Sequence, residues 1–458
     1  MASVASLLKR ITNVNNCSIV DATLETDAKG DGVIHLYIEQ HRGHDNRCPI
    51  CGKRCSGYDK AKNDDKAKYS TWRDLDSGGY KVYLHCKLKR VLCTEHGVHT
   101  AGVSWAFYNS RFTKAFDMTA GFLGIKINRK TASEYLRCDW ETIGRCIGRT
   151  RAFIEPDVKR RYHNLKHIGV DETSYRKGHK YITVVVNHEL GEVVWCHEGH
   201  SVETFSKFFE ELTEEQRQGI ETVSGDGARW IDTCIEKYIP HATRTIDGFH
   251  VVCWCTDALD QLRLDIWKIA HKQFKEQKEL CGKRNTGRPK KDDVDAAKLS
   301  KAKSIASDIK GSAHALGKAP EHLTESQKAK LEVIAKSSPI LYRAYKLKEL
   351  LRCAFKLNDI DEVKVVLKDF FWKATHSRIS VFKELAYKIR RHEEKILNTI
   401  KTGMSNARVE SVNNKIKLFV RKAYGFRNLQ NMYDIIMLGC SKLTVTLPNR
   451  GNVPLKLA

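Results

Sequence analysis

Apolar and polar residues alternate over residues 33–39 (Val-Ile-His-Leu-Tyr-Ile-Glu), the pattern of a strand with one buried face. Residues 81–91 read as a second strand. From residue 112 the period lengthens to that of helices. One helix is predicted over 112–125 and a short second over 130–136. A turn at Arg137-Cys138-Asp139 follows, with Asp139 placed as an N-cap, and then a third helix over 140–149. After Pro156 strands and helices alternate. Strands are predicted at 167–171, 181–186 and 192–196, the last two joined as a hairpin by 187–191. A helix over 202–212 leads to a fourth strand, 220–224, which delivers Gly225-Asp226-Gly227. A helix over 228–238 and a fifth strand over 242–246 end at Asp247-Gly248-Phe249-His250-Val251-Val252. Most of the next 150 or so residues have a helical period, with helices at 267–280, 341–357 and 363–375 and a good N-cap at Thr324. No internal repeat is evident, and the pattern of 443–458 points to no chemistry.

Length and charge narrow the partners. At 458 residues the chain exceeds one simple core, so two to four domains are expected. Lys and Arg number 79 against 55 Asp and Glu, a formal charge of +24, which makes a polyanion the leading partner. Fifteen cysteines without a signal-peptide pattern argue for reduced thiols, some on metal, rather than a disulfide scaffold. No window approaches eighteen consecutive apolar residues, so a cytoplasmic protein without a membrane span is expected.

Two motifs give the thiols a purpose. In Cys48-Pro49-Ile50-Cys51-Gly52 two residues separate the sulfurs, which lets both reach one tetrahedral ion, and Gly52 lets the backbone turn beneath it. Cys93-Thr94-Glu95-His96-Gly97 offers the partner pair. Cys48, Cys51, Cys93 and His96 therefore read as a closed, structural Cys₃His zinc ribbon, with Cys55, Cys86 and His99 as nearby substitutes. The helices over 112–149 have helix-turn-helix spacing, which puts Thr142, Arg145 and Arg149 on or near a groove-facing side. Downstream, the Gly287-Arg288-Pro289 segment is flanked by basic residues and suits an AT-rich minor groove through Arg288; a basic linker is the simpler alternative.

Three hairpin-connected strands followed by helix, strand, helix, strand is the order of a ribonuclease H-like fold. In that order the ends of the first and fourth strands lie side by side, so Asp171 and Asp226 can share a metal ion. A third carboxylate is needed, and the candidate is Glu410, in an amphipathic helix whose Asn413, Asn414, Lys417 and Arg421 lie close to the same face. Carboxylate beside Asn, Lys and Arg suits a metal with phosphate alongside. Asp247 is a rival second ligand. His250 is either a group that positions the nucleophile or a phosphate, or a packed neighbour.

Asp171-Glu172, the Asp247-to-Val252 block, and Ser-Asn-Ala-Arg-Val-Glu-Ser-Val-Asn-Asn-Lys-Ile-Lys at 405–417 followed by Arg-Lys-Ala-Tyr-Gly-Phe-Arg-Asn at 421–428 resemble a DDE transposase. More narrowly, the chain resembles the IS-L-three family of bacterial insertion-sequence transposases over nearly its whole length. The resemblance implies a triad of Asp171, Asp226 and Glu410 holding Mg²⁺ or Mn²⁺, with a structural Zn²⁺ at the N-terminal cluster. It implies double-stranded DNA partners (terminal inverted repeats and target), a bacterial cytoplasmic, nucleoid-associated site of action, and a homodimer or larger synaptic assembly. The chain departs from the family at Asn187, often Asp there, and at Gly248, where a basic residue is common.

The expected organisation is a multidomain α+β chain. It comprises an N-terminal β region with a zinc ribbon (1–110), a helix-turn-helix region (111–158) and the first part of a ribonuclease H-like α/β catalytic core (159–260). A helical insertion (261–394), the helix carrying the last carboxylate (395–440) and a tail (441–458) follow. The expected chemistry is metal-dependent cleavage at a transposon end and strand transfer. A ribonuclease H-like nuclease explains the carboxylates but needs no end-reading module; a DNA-binding regulator needs only the N-terminal third.

Overall fold

The computed structural model describes residues 4–12, 14–58, 68–280, 294–404, 406–451 and 453–456. The first hundred residues hold α1 (Val4–Thr12) and seven strands: β1 (Cys17–Thr26), β2 (Gly32–Gln40), β3 (Ser56–Gly57), β4 (Tyr69–Arg73), β5 (Lys81–Lys87), β6 (Arg90–Cys93) and β7 (Gly97–Thr100). They form two sheets, β1-β2-β5-β4 and β3-β6-β7. The single strand expected over 81–91 is thus two strands in different sheets. The pattern itself changes phase there: Val82, Leu84 and Cys86 are buried at even positions, Val91 and Cys93 at odd ones.

Three helices follow, α2 (Lys114–Lys126), α3 (Arg129–Tyr135) and α4 (Trp140–Ile154). Thr113 and Asn128 cap the first two, accepting hydrogen bonds from the backbone N–H groups of Phe116 and Thr131. Asp139 occupies the N-cap of α4 but makes no side-chain cap bond. Next come β8 (His167–Arg176), β9 (Lys180–Asn187), β10 (Glu192–Glu198), α5 (Val202–Glu211), α6 (Glu214–Gln218), β11 (Thr222–Gly225), α7 (Arg229–Tyr238) and β12 (Thr243–Ile246). Apart from α6, this is the predicted strand and helix succession, and the sheet order is β10-β9-β8-β11-β12. The antiparallel β9–β10 hairpin closes through Asn187, whose Oδ1 accepts from the N–H groups of Glu189 and Leu190 at 2.8 and 3.1 Å. An Asn makes this turn as an Asp would.

The remainder is mostly helical: α8 (Gly248–Leu280), α9 (Val294–Gly311), α10 (Ala313–Gly317), α11 (Glu325–Ser337), α12 (Pro339–Ala354), α13 (Ile360–Thr375), α14 (Ser380–Arg391), α15 (Glu393–Thr402), α16 (Ala407–Lys422) and α17 (Leu429–Gly439). A hairpin of β13 (Thr444–Thr446) and β14 (Pro454–Lys456) ends the described chain. Thr324 caps α11 in a reciprocal capping box with Gln327. The helix expected over 267–280 is the second half of α8, which begins at Gly248. A Cβ at Gly248 would lie 2.5 Å from the Phe355 ring, so the basic residue common in the resembled family has no room here.

Two compact units result, one of residues 1–163, 172–200 and 409–458, the other of 164–171 and 201–408. In the first, α2, α3, α4, β9, α16 and α17 contribute to one core that includes Phe116, Ile143, Ile147, Val184, Val412 and Ile436. The sheet of β1, β2, β4 and β5 has a second core, around Leu36, Trp72 and Leu84. In the second unit Ile246, Val251 and Cys255 share a core with Leu347, Phe370, Phe382 and Ile396. The helices expected as an insertion over 261–394 therefore pack on the end of β12 and the start of α8. No helix among the described residues is long and apolar enough to cross a membrane.

Candidate functional site

Strands β8 and β11 are parallel, pairing His167 with Thr222, Ile168 with Val223 and Gly169 with Ser224. Two residues beyond the last of these pairs stand Asp171, still within β8, and Asp226, the first residue past the end of β11. The apolar residues before them, Ile168, Val170 and Val223, are fully buried, while both carboxylates sit at half-buried positions. The approach is close because residue 225 is glycine: a Cβ there would lie 2.8 Å from the Val170 carbonyl oxygen and 3.1 Å from Ile231. Gly225→Ala should cost about 1–3 kcal/mol through overpacking and displace Asp226. Thermal unfolding checks this, and an unchanged melt would contradict it.

The Asp226 loop rests on a buried cation that the sequence reading missed. Arg244 of β12 donates from Nη1 to the carbonyl oxygens of Val223 and Gly225, both at 3.4 Å, and from Nη2 to that of Asp226. Its Nε donates to Asp232 at 3.1 Å, and Lys395 reaches the other Asp232 oxygen at 2.5 Å. Burial pulls the Arg244 pKa down, opposed by the Asp232 and Asp226 charges. An arginine inside a predicted buried strand was the available signal. The Asp226 Oδ1 accepts from the Ala228 N–H at 3.0 Å. Beside it, the Trp254 indole would lie 2.7 Å from a Cβ on Gly227, and Lys388 Nζ sits 3.8 Å from the centroid of that ring. Burial pushes the Lys388 pKa down while the Asp226 charge opposes it.

Asp247 accepts two backbone hydrogen bonds. Its Oδ1 accepts from the Phe249 N–H at 3.1 Å at the start of α8, and its Oδ2 from the Asn406 N–H at 2.6 Å. Asn406, fully buried, also accepts from Ser224 Oγ at 2.7 Å. The chain entering α16 is thereby tied to β11 two residues before Asp226. Four residues after Asn406, Glu410 lies half-buried in the first turn of α16. Along that helix Asn413 is buried, whereas Asn414, Lys417 and Arg421 are exposed. His250 Nε2 is buried and makes no hydrogen bond among the described residues.

The N-terminal cluster is assembled. Cys48 Sγ lies 3.8 Å from His96 Nδ1, Cys93 Sγ 3.6 Å from the same nitrogen, and Cys51 Sγ 3.8 Å from Cys93 Sγ. The edges of a tetrahedron drawn with Zn–S and Zn–N bonds of about 2.3 and 2.0 Å are ~3.5–3.8 Å. Gly52 and Gly97, with φ of 70° and 76°, make the two turns beneath the ligands. Among the described residues this is the one group of three or more metal-capable side chains with ligand atoms all within 4.8 Å. The proposed carboxylate triad makes no second such group. His96 holds the Cys93 thiol down to about 6. Of the substitutes, His99 Nε2 is engaged with the His96 carbonyl at 2.6 Å, Cys55 Sγ with that of Lys53 and Cys86 Sγ with that of Lys87.

The helix-turn-helix side chains are less available than their spacing implied. Thr142 is 4% exposed and accepts from Arg145 Nη2 at 3.0 Å. Arg149 makes a bidentate pair with Asp117, at 2.8 and 2.6 Å, and that carboxylate is fully buried. Thr142 is buried and Arg149 is held against α2 by Asp117, which leaves Arg145 as the exposed member. Arg149→Ala strands a buried charge and should destabilise the fold by about 3–5 kcal/mol. Chemical denaturation would show it, and an unchanged midpoint with weakened DNA binding would instead return Arg149 to the groove. Arg288 lies outside the described residues.

The likeness to known proteins spans the chain. A family model described as transposase matches residues 168–436. Transposases for insertion sequence element IS1557 from two Mycobacterium tuberculosis strains are each 37% identical over 450 residues, 98% of both chains. The transposase for insertion sequence element IS1001 of Bordetella parapertussis is 24% identical over 390 residues, 84% of this chain and 86% of its own.

Proposed function

Because the chain belongs to the IS-L-three family of DDE transposases, we propose that it binds the terminal inverted repeats of an insertion sequence, cleaves there and joins the end to target DNA. The carrying observation is the parallel β8–β11 pairing, whose last pair lies two residues before Asp171 and Asp226, in a sheet whose strand order is that of a ribonuclease H-like core. Glu410 is the third carboxylate. Its support is the family likeness together with the Asn406 ties to Ser224 and Asp247 four residues earlier.

All-oxygen donors at half-buried positions fit a hard divalent ion such as Mg²⁺ or Mn²⁺. Bound there, such ions would supply an activated attacking oxygen and charge stabilisation on the leaving one. The protein's own part is to fix the carboxylates. Gly225 admits the close approach, Arg244 holds the loop backbone, and Asp247 takes an anchoring rather than a ligating role. Lys388 adds positive charge beside Asp226, where phosphate would lie, and Lys417 and Arg421 do so along α16. Cys48, Cys51, Cys93 and His96 hold a structural zinc that orders the N-terminal region. The +24 charge supplies salt-dependent affinity for any duplex. Two ends must be held at once, so the active species is a dimer or larger.

The test uses purified protein, a duplex carrying the element's end, and a supercoiled target. Joined products that need Mg²⁺ or Mn²⁺ and vanish with chelator support transposition. Cuts without joining would instead favour a nuclease, and binding alone a regulator.

A further inference from the structure

An open groove of about 800 Å³ in the first unit is lined by the start of α3, the start of α4 and the turn between α16 and α17. Its walls carry Arg129, Lys130, Arg145 and Arg427, and Glu141 is the one carboxylate among its lining residues. Two aromatic side chains in it are left outside any core. Tyr424 is 96% exposed and Trp140 47%. Tyr424 also has φ of 51°, a left-handed conformation costly for a non-glycine residue, and Gly425 beside it completes the turn. Neither burial nor turn geometry calls for tyrosine there.

Arg129 supplies the independent observation. Its guanidinium lies on the Phe426 ring, 5.5 Å from the centroid, with Nε and Nη2 buried and making no hydrogen bond among the described residues. Buried, unpaired donors on a cation are costly, and Arg129 lines the groove, so a turn of the guanidinium into it would let a phosphate oxygen pair satisfy them in a planar, bidentate manner. We infer that this groove is a binding site for a single DNA strand, with a phosphate on Arg129 and bases stacked on Tyr424 and Trp140. Its volume is that of a site for a small molecule, ~300–1,000 Å³, enough for a few nucleotides of one strand and too small for a duplex. Basic walls with stacking aromatics are the means by which proteins hold single strands without reading sequence. A strand parted from its complement beside the cut is the natural occupant. The inference rests on the protein being a DNA-processing enzyme but not on the carboxylate assignments.

The test is fluorescence anisotropy of a short fluorescein-labelled oligothymidine in metal-free buffer, with a labelled duplex of the same length as a parallel arm. Full-length wild type is compared with Tyr424→Asn and with Arg129→Gln. Asn tolerates the left-handed turn, and residue 424 is too exposed for the change to unfold the chain. Loss of one stack should weaken single-strand binding by about tenfold or more while duplex affinity changes less than about twofold. Arg129→Gln should do the same, with Arg129→Lys restoring part of the affinity. Equal single-strand binding by wild type and Tyr424→Asn, or equal loss on both DNAs, overturns the inference. Wild type that binds duplex but not oligothymidine also overturns it. Failure to bind either DNA would count against the DNA-processing reading itself.

Discussion

Asp226→Asn is expected to give a folded, DNA-binding protein that joins no ends. The substitution keeps the oxygen that accepts from the Ala228 N–H, and the Arg244 bonds to the loop run to backbone carbonyls, so the turn survives. What is lost is one negative charge and one metal-binding oxygen. Disturbing only the groups that orient a metal ligand costs about 10–100-fold, so removing a ligand should lower joining by more than ~100-fold. Asp247→Asn provides the contrast. Its carboxylate accepts from the Phe249 and Asn406 N–H groups, so its neutralisation should show first as lowered stability, with residual joining that still responds to metal. If Asp247→Asn abolished joining at unchanged stability while Asp226→Asn did not, the two roles would be exchanged.

The second large effect concerns the N-terminal cluster. Cys48, Cys51, Cys93 and His96 offer a closed tetrahedral set, and among the described residues the strands around it form the short β3-β6-β7 sheet. Structural zinc in small modules is worth about 10–16 kcal/mol near neutral pH, far more than such a sheet could supply alone. Purified protein should therefore contain one zinc per chain. Cys93→Ser or a strong chelator should unfold the ribbon, seen as rapid proteolysis within residues 41–100, and should weaken binding to the element's ends. The remaining core, centred on Phe116 and Ile436, should still melt cooperatively. Protein without zinc and with an intact ribbon would contradict the assignment.

Much of this was legible in the residues because local chemistry decided it. The two Cys motifs prescribe their own turns, and the glycines after Cys51 and at residue 97 adopt the positive φ that the turns need. The five strands of the central sheet declared themselves by apolar runs, two of which lead into Asp171-Glu172 and Gly225-Asp226. Thr324 declared a helix start by its capping box. What escaped depended on distant partners. Arg149 looks like a groove-facing base on α4 until Asp117, thirty-two positions earlier, is seen to claim it. Thr142 has the right spacing but the wrong burial. Asp247 and Asp226 are equivalent in sequence, each followed by glycine, and the hydrogen bond that Asp247 accepts from Asn406, 159 positions away, is visible only in the fold. Arg129, just ahead of the helix expected over 130–136, carried no signal in the sequence, and its buried Nε and Nη2, without hydrogen bonds among the described residues, belong to the tertiary structure alone.

Glu410 is the carboxylate on which the proposed three-carboxylate site depends most directly. The measurement is strand transfer by purified wild type and Glu410→Gln, using a precut end with a free 3′-hydroxyl, a supercoiled target and Mn²⁺, with end binding measured on the same samples. Wild type should join the end to target, and the variant should bind it equally well and join it more than ~100-fold more slowly. Equal rates in both proteins would remove Glu410 from the catalytic carboxylates and, with it, the three-carboxylate site.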